Sequence, residues 1–374
     1  MQIKWKLSVS VAAILTVLSF SCPPADGQRL ENIWIDRLVN VTPLERQQDT
    51  ISLFFIGDVM MHARQLEYDF RTFLEPMRTR ISGADLAVAN MEFTLAGEPY
   101  SGYPAFSAPD GYAAYLAGLG TDVFLTANNH ILDKGRDGLE RTIEVYRAMD
   151  GILMTGTSED PEHDEASYPL MVSVKGTRIA LINFTYGTNV PPEQDWPKVN
   201  YADTSDIRKA FDRARAAGAE FIIALPHWGT EYALAHSFAQ ERLARWLADS
   251  GADMIIGAHP HVVQDTTTIG STPVVYSMGN AVSNMSAVNT RLELAVTVRI
   301  VRNGKDHAIM HGPELEFLWC TLPGTLTASY TTIPVRDYIG KRDLWIDPSD
   351  YDNMIATLRR VMKATGIKDT YNIL

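Results

Sequence analysis

Ile51-Ser52-Leu53-Phe54-Phe55-Ile56-Gly57-Asp58 decides the fold class. The run is the length of a strand, and it is apolar on both of its alternating faces. It ends abruptly at Gly57-Asp58, so it reads as a buried strand opening into a polar loop. The same pattern recurs along the chain. Asp85 to Ala89 leads into Asn90-Met91-Glu92, and Asp122 to Thr126 leads into Asn128-Asn129-His130. Phe221 to Leu225 leads into His227-Trp228-Gly229, Asp253 to Ile256 into Gly257-Ala258-His259, and Val274 to Tyr276 towards Gly279-Asn280. Amphipathic patterns between these runs predict helices over about 64–79, 109–119, 136–149, 204–217 and 237–250. In the fourth, Ala210, Phe211, Ala214 and Ala217 set the apolar stripe. Strands alternating with helices mark an α/β fold with a largely buried sheet. Tyr168–Val174 with Thr177–Tyr186, and Arg291–Val301 with His307–Leu318, read as hairpins turning at Lys175-Gly176 and Asn303-Gly304. Hairpins added to parallel strands imply two packed sheets with helices outside.

The chain has 374 residues, the length of two average domains or one elaborated domain. Apolar residues make up 46% and charged residues 21%, which excludes wholesale disorder. Lys plus Arg number 33 against 45 Asp plus Glu, a formal charge of −12 that argues against nucleic acid as a partner. The two cysteines, Cys22 and Cys320, are too few for a disulfide framework or a thiolate zinc site. Lys4 and Lys6 precede an uncharged, mostly apolar stretch over 7–21, shorter than the roughly 20 residues of a bilayer span. This is the pattern of an export signal. Cleavage after Ala25-Asp26-Gly27 would leave a chain starting at Gln28. Alternatively, Ser19-Phe20-Ser21-Cys22 is a loose lipobox that would anchor a lipoprotein at Cys22, the one expected link to a membrane. The expected organisation is a leader over 1–27, a principal domain over 51–320 and a C-terminal extension over 321–374. In that extension Asp347 to Lys363 reads as a helix packed on the domain.

In α/β folds ligands bind beyond the carboxyl ends of the strands. Four of the nine histidines (His130, His227, His259 and His261) fall in those positions, with Asp58, Glu92 and Asn129. Each residue alone has a plainer reading. Asp58 and Asp133 could cap helices, and His259-Pro260-His261 could be a surface turn. In an extended segment, however, residues i and i+2 point the same way, so both imidazoles could reach one ion. Asp58, Glu92, Asn129, His227, His259 and His261 form a set of oxygen and nitrogen donors without thiolate. That set suits manganese, iron, zinc or magnesium. Six donors exceed the needs of one tetrahedral ion and match two divalent ions bridged by a carboxylate. His130 would then protonate or stabilise a leaving group. Glu231, four residues after His227, would orient that histidine or act as a base. His62, His163, His236, His307 and His311 read as surface or structural residues.

Six ordered stretches carry a family resemblance. They are Gly57-Asp58-Val59-Met60, Asn90-Met91-Glu92, Ala127-Asn128-Asn129-His130 with Asp133 and Gly135, His227-Trp228-Gly229 with Glu231-Tyr232, Gly257-Ala258-His259-Pro260-His261-Val262, and Tyr276-Ser277-Met278-Gly279-Asn280. Together they resemble the CapA family of poly-γ-glutamate capsule synthesis proteins, whose domain is similar to the calcineurin-like metallophosphoesterases. The resemblance covers roughly 51–285. It implies a four-layer αββα sandwich with a two-metal centre where loops meet at one end of the sheets. By that analogy Asp58 and His261 serve one ion, Asn129 and His227 the other, Glu92 bridges, His259 completes the set and His130 is the catalytic imidazole. Asn90, Asp133 and Asn280, in the same motifs, would bind substrate or orient the ligands. The chain departs from the phosphoesterase pattern at Met60, where a histidine is usual, and at Glu92, where aspartate is usual.

Two functions follow from the resemblance. One is a divalent-metal-dependent hydrolase at the cell envelope, acting on a phosphoester or an anionic polymer. The other is a non-catalytic, polymer-binding accessory working with other proteins of capsule assembly. A chain of charge −12 repels a polyanion unless metals or a basic cleft intervene. Arg64, Lys134 and Arg136 lie next to the motifs in sequence and could supply such a cleft, though the plainer reading is ordinary solvated charges.

Overall fold

The computed structural model describes residues 49–302, 307–368 and 370. The expected leader, both of its cleavage alternatives and Cys22 lie outside the described residues. Among the described residues no helix is long and apolar enough to cross a membrane.

The strands run, in chain order, β1 (Asp49–Val59), β2 (Leu86–Met91), β3 (Val123–Leu125), β4 (Leu153–Thr155), β5 (Thr157–Ser158), β6 (Leu170–Val174), β7 (Thr177–Thr185), β8 (Lys198–Val199), β9 (Phe221–His227), β10 (Met254–Ile256), β11 (Thr266–Ile269), β12 (Thr272–Val275), β13 (Leu292–Arg302), β14 (Ile309–Thr321) and β15 (Thr331–Pro334). The α-helices are α1 (Arg78–Ser82), α2 (Asp110–Leu119), α3 (Gly135–Arg147), α4 (Pro161–Ser167), α5 (Thr204–Ala216), α6 (Phe238–Asp249), α7 (Val335–Tyr338) and α8 (Pro348–Thr365). A seven-stranded sheet has the order β15-β14-β13-β1-β2-β3-β4, and a six-stranded sheet the order β11-β12-β10-β9-β7-β6. In both, the central pairs (β1 with β2, β2 with β3, β7 with β9, β9 with β10) are parallel, and the antiparallel hairpins extend outward.

Alternation along β1 shows how the layers form. Ile51, Leu53 and Phe55 face a core shared with Leu181, Ile223 and Ile256 of the second sheet. Phe54 and Ile56 face the opposite way, into a core with Tyr112 and Leu116 of α2. On the far side of the second sheet, Ala180, Ile182 and Ala224 meet Ile207, Phe211 and Ala214 of α5 and Ala244 and Leu247 of α6. Helices, sheet, sheet and helices therefore stack in the expected αββα order. Each layer removes apolar area from water at about 25 cal/mol per Å².

Two expectations change. No single helix spans 64–79; three short 3₁₀ turns (Ala63–Glu67, Phe70–Thr72, Glu75–Met77) precede α1. The Asp69 side chain accepts from Arg71 N–H, offering the backbone an alternative to helix, and Pro76 has no N–H to give. In α5, Ile207 rather than Ala217 completes the buried stripe, because Ala217 is the exposed residue that ends the helix. Residues beyond 320 add β15 to the edge of the first sheet. They also add α8, whose Met354, Leu358 and Val361 join the inter-sheet core beside β13 and β14. Asp347 caps α8 by accepting from Ser349 N–H.

Candidate metal centre

The polar ends of β1, β2, β3, β9 and β10 meet at one end of the two sheets. Asp58 closes β1 over a close crossing. Asp58 N–H donates to Gly279 O at 3.0 Å and Met60 N–H to Val282 O at 3.0 Å, so the 279–282 segment lies against the strand end. A Cβ on Gly57 would sit 2.0 Å from Gly279 O, so the crossing requires glycine. Gly57 N–H donates to Glu293 Oε1 at 2.7 Å. Burial, tempered by that bond and reinforced by the Asp58 charge, pushes the Glu293 carboxyl up to about 8.

Asn90 Nδ2 donates to Asp58 Oδ1 at 2.7 Å and lies 3.3 Å from His227 Nδ1, so one amide positions both side chains. Asp58 Oδ2 accepts from His259 N–H at 3.3 Å and lies 3.3 Å from His261 Nδ1. His261 Nδ1 also meets Asn280 Oδ1 at 2.9 Å, which leaves its Nε2 facing Glu92 Oε1 at 3.8 Å. His227 Nε2 and His130 Nε2 approach the same Glu92 oxygen at 3.8 and 4.0 Å. His130 is held through its other nitrogen, Nδ1, 2.7 Å from Asp133 Oδ2. Asp133 also accepts from Phe106 N–H, so it orients the imidazole instead of capping α3.

The Glu92 carboxylate is fully buried, and neither of its oxygens has a hydrogen-bond partner. Burial first, and then the charge of Asp58, raise its pKa well above the usual carboxylate range. His259 Nδ1 is likewise buried without a partner, and burial, with His261 beside it, depresses this ring to about 3. His227 is driven well below its ordinary value by burial and by His259. His261 is raised, because the Asp58 hydrogen bond and charge outweigh burial.

Divalent cations fit this donor set. A buried carboxylate with unused lone pairs on both oxygens, faced by three imidazole nitrogens too distant to hydrogen-bond it, is costly as it stands and is satisfied by cations. Asn129 Oδ1 and His227 Nε2 face each other at 2.7 Å, an acceptor and an imidazole nitrogen converging where one ion would take both. Glu92 belongs to two groups whose donor atoms lie within 4.8 Å of one another, Glu92–His259–His261 and Asp58–Glu92–His227. His259 and His261 do not converge by strand periodicity. Both have positive φ (101° and 58°), an uncommon conformation for a residue with a side chain, and this local twist brings the ring centroids to 5.9 Å.

The site opens into a cleft of about 440 Å³ lined by His62, Tyr103, His130, Asn189, Glu231 and Tyr232, among others. Three tyrosines stand over three imidazoles: Tyr186 over His259 (centroids 4.6 Å), Tyr232 over His261 (6.2 Å) and Tyr103 over His130 (6.5 Å). Glu231 is exposed on the cleft and does not orient His227, whose nitrogens go to Asn90 and Asn129. Trp228 is packing, its Nε1–H donating to Tyr276 O. Among the described residues no lysine or arginine lines this cleft. Arg64 pairs with Glu67, and Arg136 with Glu140 and Gln194. Two lining residues escape sequence reading. His62, placed among structural histidines, accepts from Asn284 N–H through Nδ1 and is depressed to about 4 by burial. Asn189, from a loop without periodic signal, reaches His130 with Nδ2 at 3.2 Å.

The family model described as bacterial capsule synthesis protein PGA_cap matches residues 52–285, well over half of the chain. The chain belongs to this family. It is 27% identical over 288 residues to the capsule biosynthesis protein CapA of Bacillus anthracis, covering 72% of this chain and 69% of that protein. It is 30% identical over 192 residues to the PGA biosynthesis protein CapA of Bacillus subtilis, covering half of each. Among solved structures, it is similar to the calcineurin-like phosphoesterase YfkN from Bacillus subtilis, with 16% identity over 71% of this chain and 91% of that one and a TM-score of 0.44. It is also similar to a 5'-nucleotidase precursor from Thermus thermophilus, with 14% identity over 84% of this chain and 59% of that one and a TM-score of 0.45. The PGA_cap match ends at 285, so β13, β14, β15 and α8 lie beyond it.

Proposed function

We propose that this member of the capsule synthesis family is a divalent-metal-dependent hydrolase of the cell envelope, acting on a phosphoester or an amide of an anionic polymer. The observation that supports the reading most is Glu92, buried, unpaired and ringed by His130, His227 and His261. Asp58, Glu92, Asn129, His227, His259 and His261 would hold two ions of manganese, iron, zinc or magnesium. Bound there, such ions would supply Lewis acidity and the positive charge that an anionic substrate meets. The protein's own contribution is placement. Asn90 fixes Asp58 and His227 in register, and Asn280 fixes the His261 tautomer with Nε2 inward. Asp133 accepts from His130 Nδ1–H, so Nε2 points to the centre, where it can take up a proton and, as imidazolium, give it to a leaving group. Tyr103, Tyr186 and Tyr232 narrow the approach. Export through the leader, association with other envelope assembly proteins and a lipid anchor at Cys22 belong to the same reading.

The test pairs metal analysis of the purified protein with hydrolysis of bis(p-nitrophenyl) phosphate and of poly-γ-glutamate, with manganese added. The wild type is expected to carry metal, and His259→Ala with His261→Ala to lose both metal and turnover. Absence of metal from the wild type, with no loss on that double substitution, would sink the proposal. Metal retention with polymer binding but no turnover of any ester or amide identifies the accessory protein instead.

A further inference from the structure

Glu231 is the one carboxylate lining the cleft over the proposed metal centre, and among the described residues no lysine or arginine lines it. The side chain is exposed, and no basic group of the described residues lies within ion-pair distance of it. Its placement is nevertheless fixed. Tyr232, the next residue, has φ of 66°, a left-handed conformation uncommon for a tyrosine. Tyr232 N–H donates to Pro260 O at 2.8 Å, which pins the Glu231-Tyr232 step to the turn carrying His259 and His261.

Three tyrosines surround this carboxylate with their rings open to solvent: Tyr103 is 73% exposed, Tyr186 50% and Tyr232 44%. Burial and then the Glu231 charge raise the Tyr186 hydroxyl and bring that of Tyr232 to about 12. The carboxylate therefore stands near both rings, and both phenols stay neutral. The cleft thus combines an unpaired negative charge with aromatic rings that can offer a cation their negative faces.

We propose that the cleft takes a substrate whose anionic group, directed at the metal centre, is flanked by an ammonium group held by Glu231 against the rings of Tyr103 and Tyr232. The role of the anionic group rests on the metal-dependent reading above, whereas recognition of the cation rests on Glu231 and the tyrosines alone. Water would solvate the carboxylate but leave the aromatic rings uncovered. A neutral ring would cover the tyrosines but strip water from Glu231 without replacing it. A second anionic group would meet repulsion from Glu231. An ammonium group satisfies the carboxylate and the rings together. Within an anionic polymer, only an amine-bearing end meets this requirement.

The test is isothermal titration calorimetry of the full chain, with manganese present, using phosphorylcholine and 3,3-dimethylbutyl phosphate. The second compound has the same shape, with carbon in place of the charged nitrogen. Phosphorylcholine is expected to bind about tenfold more tightly. Glu231→Gln is expected to bring the two affinities within about twofold, and Tyr103→Leu to cut the preference about threefold. Both residues are exposed, so neither substitution threatens the fold. The p-nitrophenyl esters of the same two phosphates, assayed alongside, separate the two readings. A binding preference without turnover of either ester supports the cation site and counts against the hydrolase. No saturable binding, equal affinity for the two phosphates, or a preference undiminished in both variants overturns the proposal.

Discussion

Glu92 concentrates the energetics of the site in one side chain. Its raised pKa means that the folded, metal-free chain keeps a proton which the unfolded chain releases above about pH 4.3. Its contribution therefore turns unfavourable as pH rises from that value through the folded pKa. Glu92→Gln removes the buried charge, so the metal-free variant is expected to melt several degrees above wild type at pH 8 and close to it at pH 5. Manganese affinity should fall about a hundredfold. Melting curves of chelator-treated protein with a manganese titration check both. Three imidazoles act with the opposite sign. His259 at about 3, His62 at about 4 and the lowered His227 are neutral in the folded chain, whereas the unfolded chain takes up protons below about pH 6.5. Metal-free stability is therefore lost as pH falls from about 6.5 towards 3, and His259→Ala should flatten that limb of a pH–stability scan. The donor types that meet at the site were legible in the sequence, because carboxylate, amide and imidazole each follow an apolar run. Asn189 was not, since what makes it matter is a loop folding back onto His130, and no local pattern encodes that.

Between elements, the junctions are narrow enough to break singly. Gly57→Ala would drive a methyl group into Gly279 O and separate β1 from the 279–282 crossing. It is expected to cost more than about 3 kcal/mol in urea denaturation and to displace Asp58. Arg291 and Asp350 join β13 to α8 in a bidentate pair at 2.6 Å, with the guanidinium 4.3 Å above the Trp319 ring. Both side chains are nearly buried, so Asp350→Ala leaves an unpaired charge and is expected to cost about 3–5 kcal/mol by the same measurement. Strands β1, β2, β3, β6, β7, β9, β10, β12, β13 and β14 and helices α2, α3, α5, α6 and α8 could be read from periodicity, since burial on one stripe or both faces writes itself into apolar spacing. The 64–79 stretch could not. Its Phe73, Leu74 and Met77 are all buried, but Asp69 and Pro76 divert the backbone into turns. The register of His259 and His261 was hidden for a related reason, because left-handed backbone carries no compositional mark outside glycine.

For the molecule as a whole, the C-terminal residues complete the sandwich. The inner faces of β13 and β14, with Leu294, Val296, Phe317 and Trp319, are buried in a core that α8 shares. A chain ending at Gly340 would expose that surface, and it is expected to elute as aggregate in size-exclusion chromatography and to bind a hydrophobic dye strongly. The family resemblance ends well before this region, so its importance shows only in the packing. The origin of the donor set has a consequence in time. Asp58, Glu92 and Asn129 come from the first sheet, His227, His259 and His261 from the second, and 203 residues of chain separate the first from the last (261 − 58). Contacts so distant in sequence form late. A partly made chain would hold only part of this donor set. If the proposed ions bind there, metallation would follow the closing of the two sheets, and the metal would be chosen where that closing takes place.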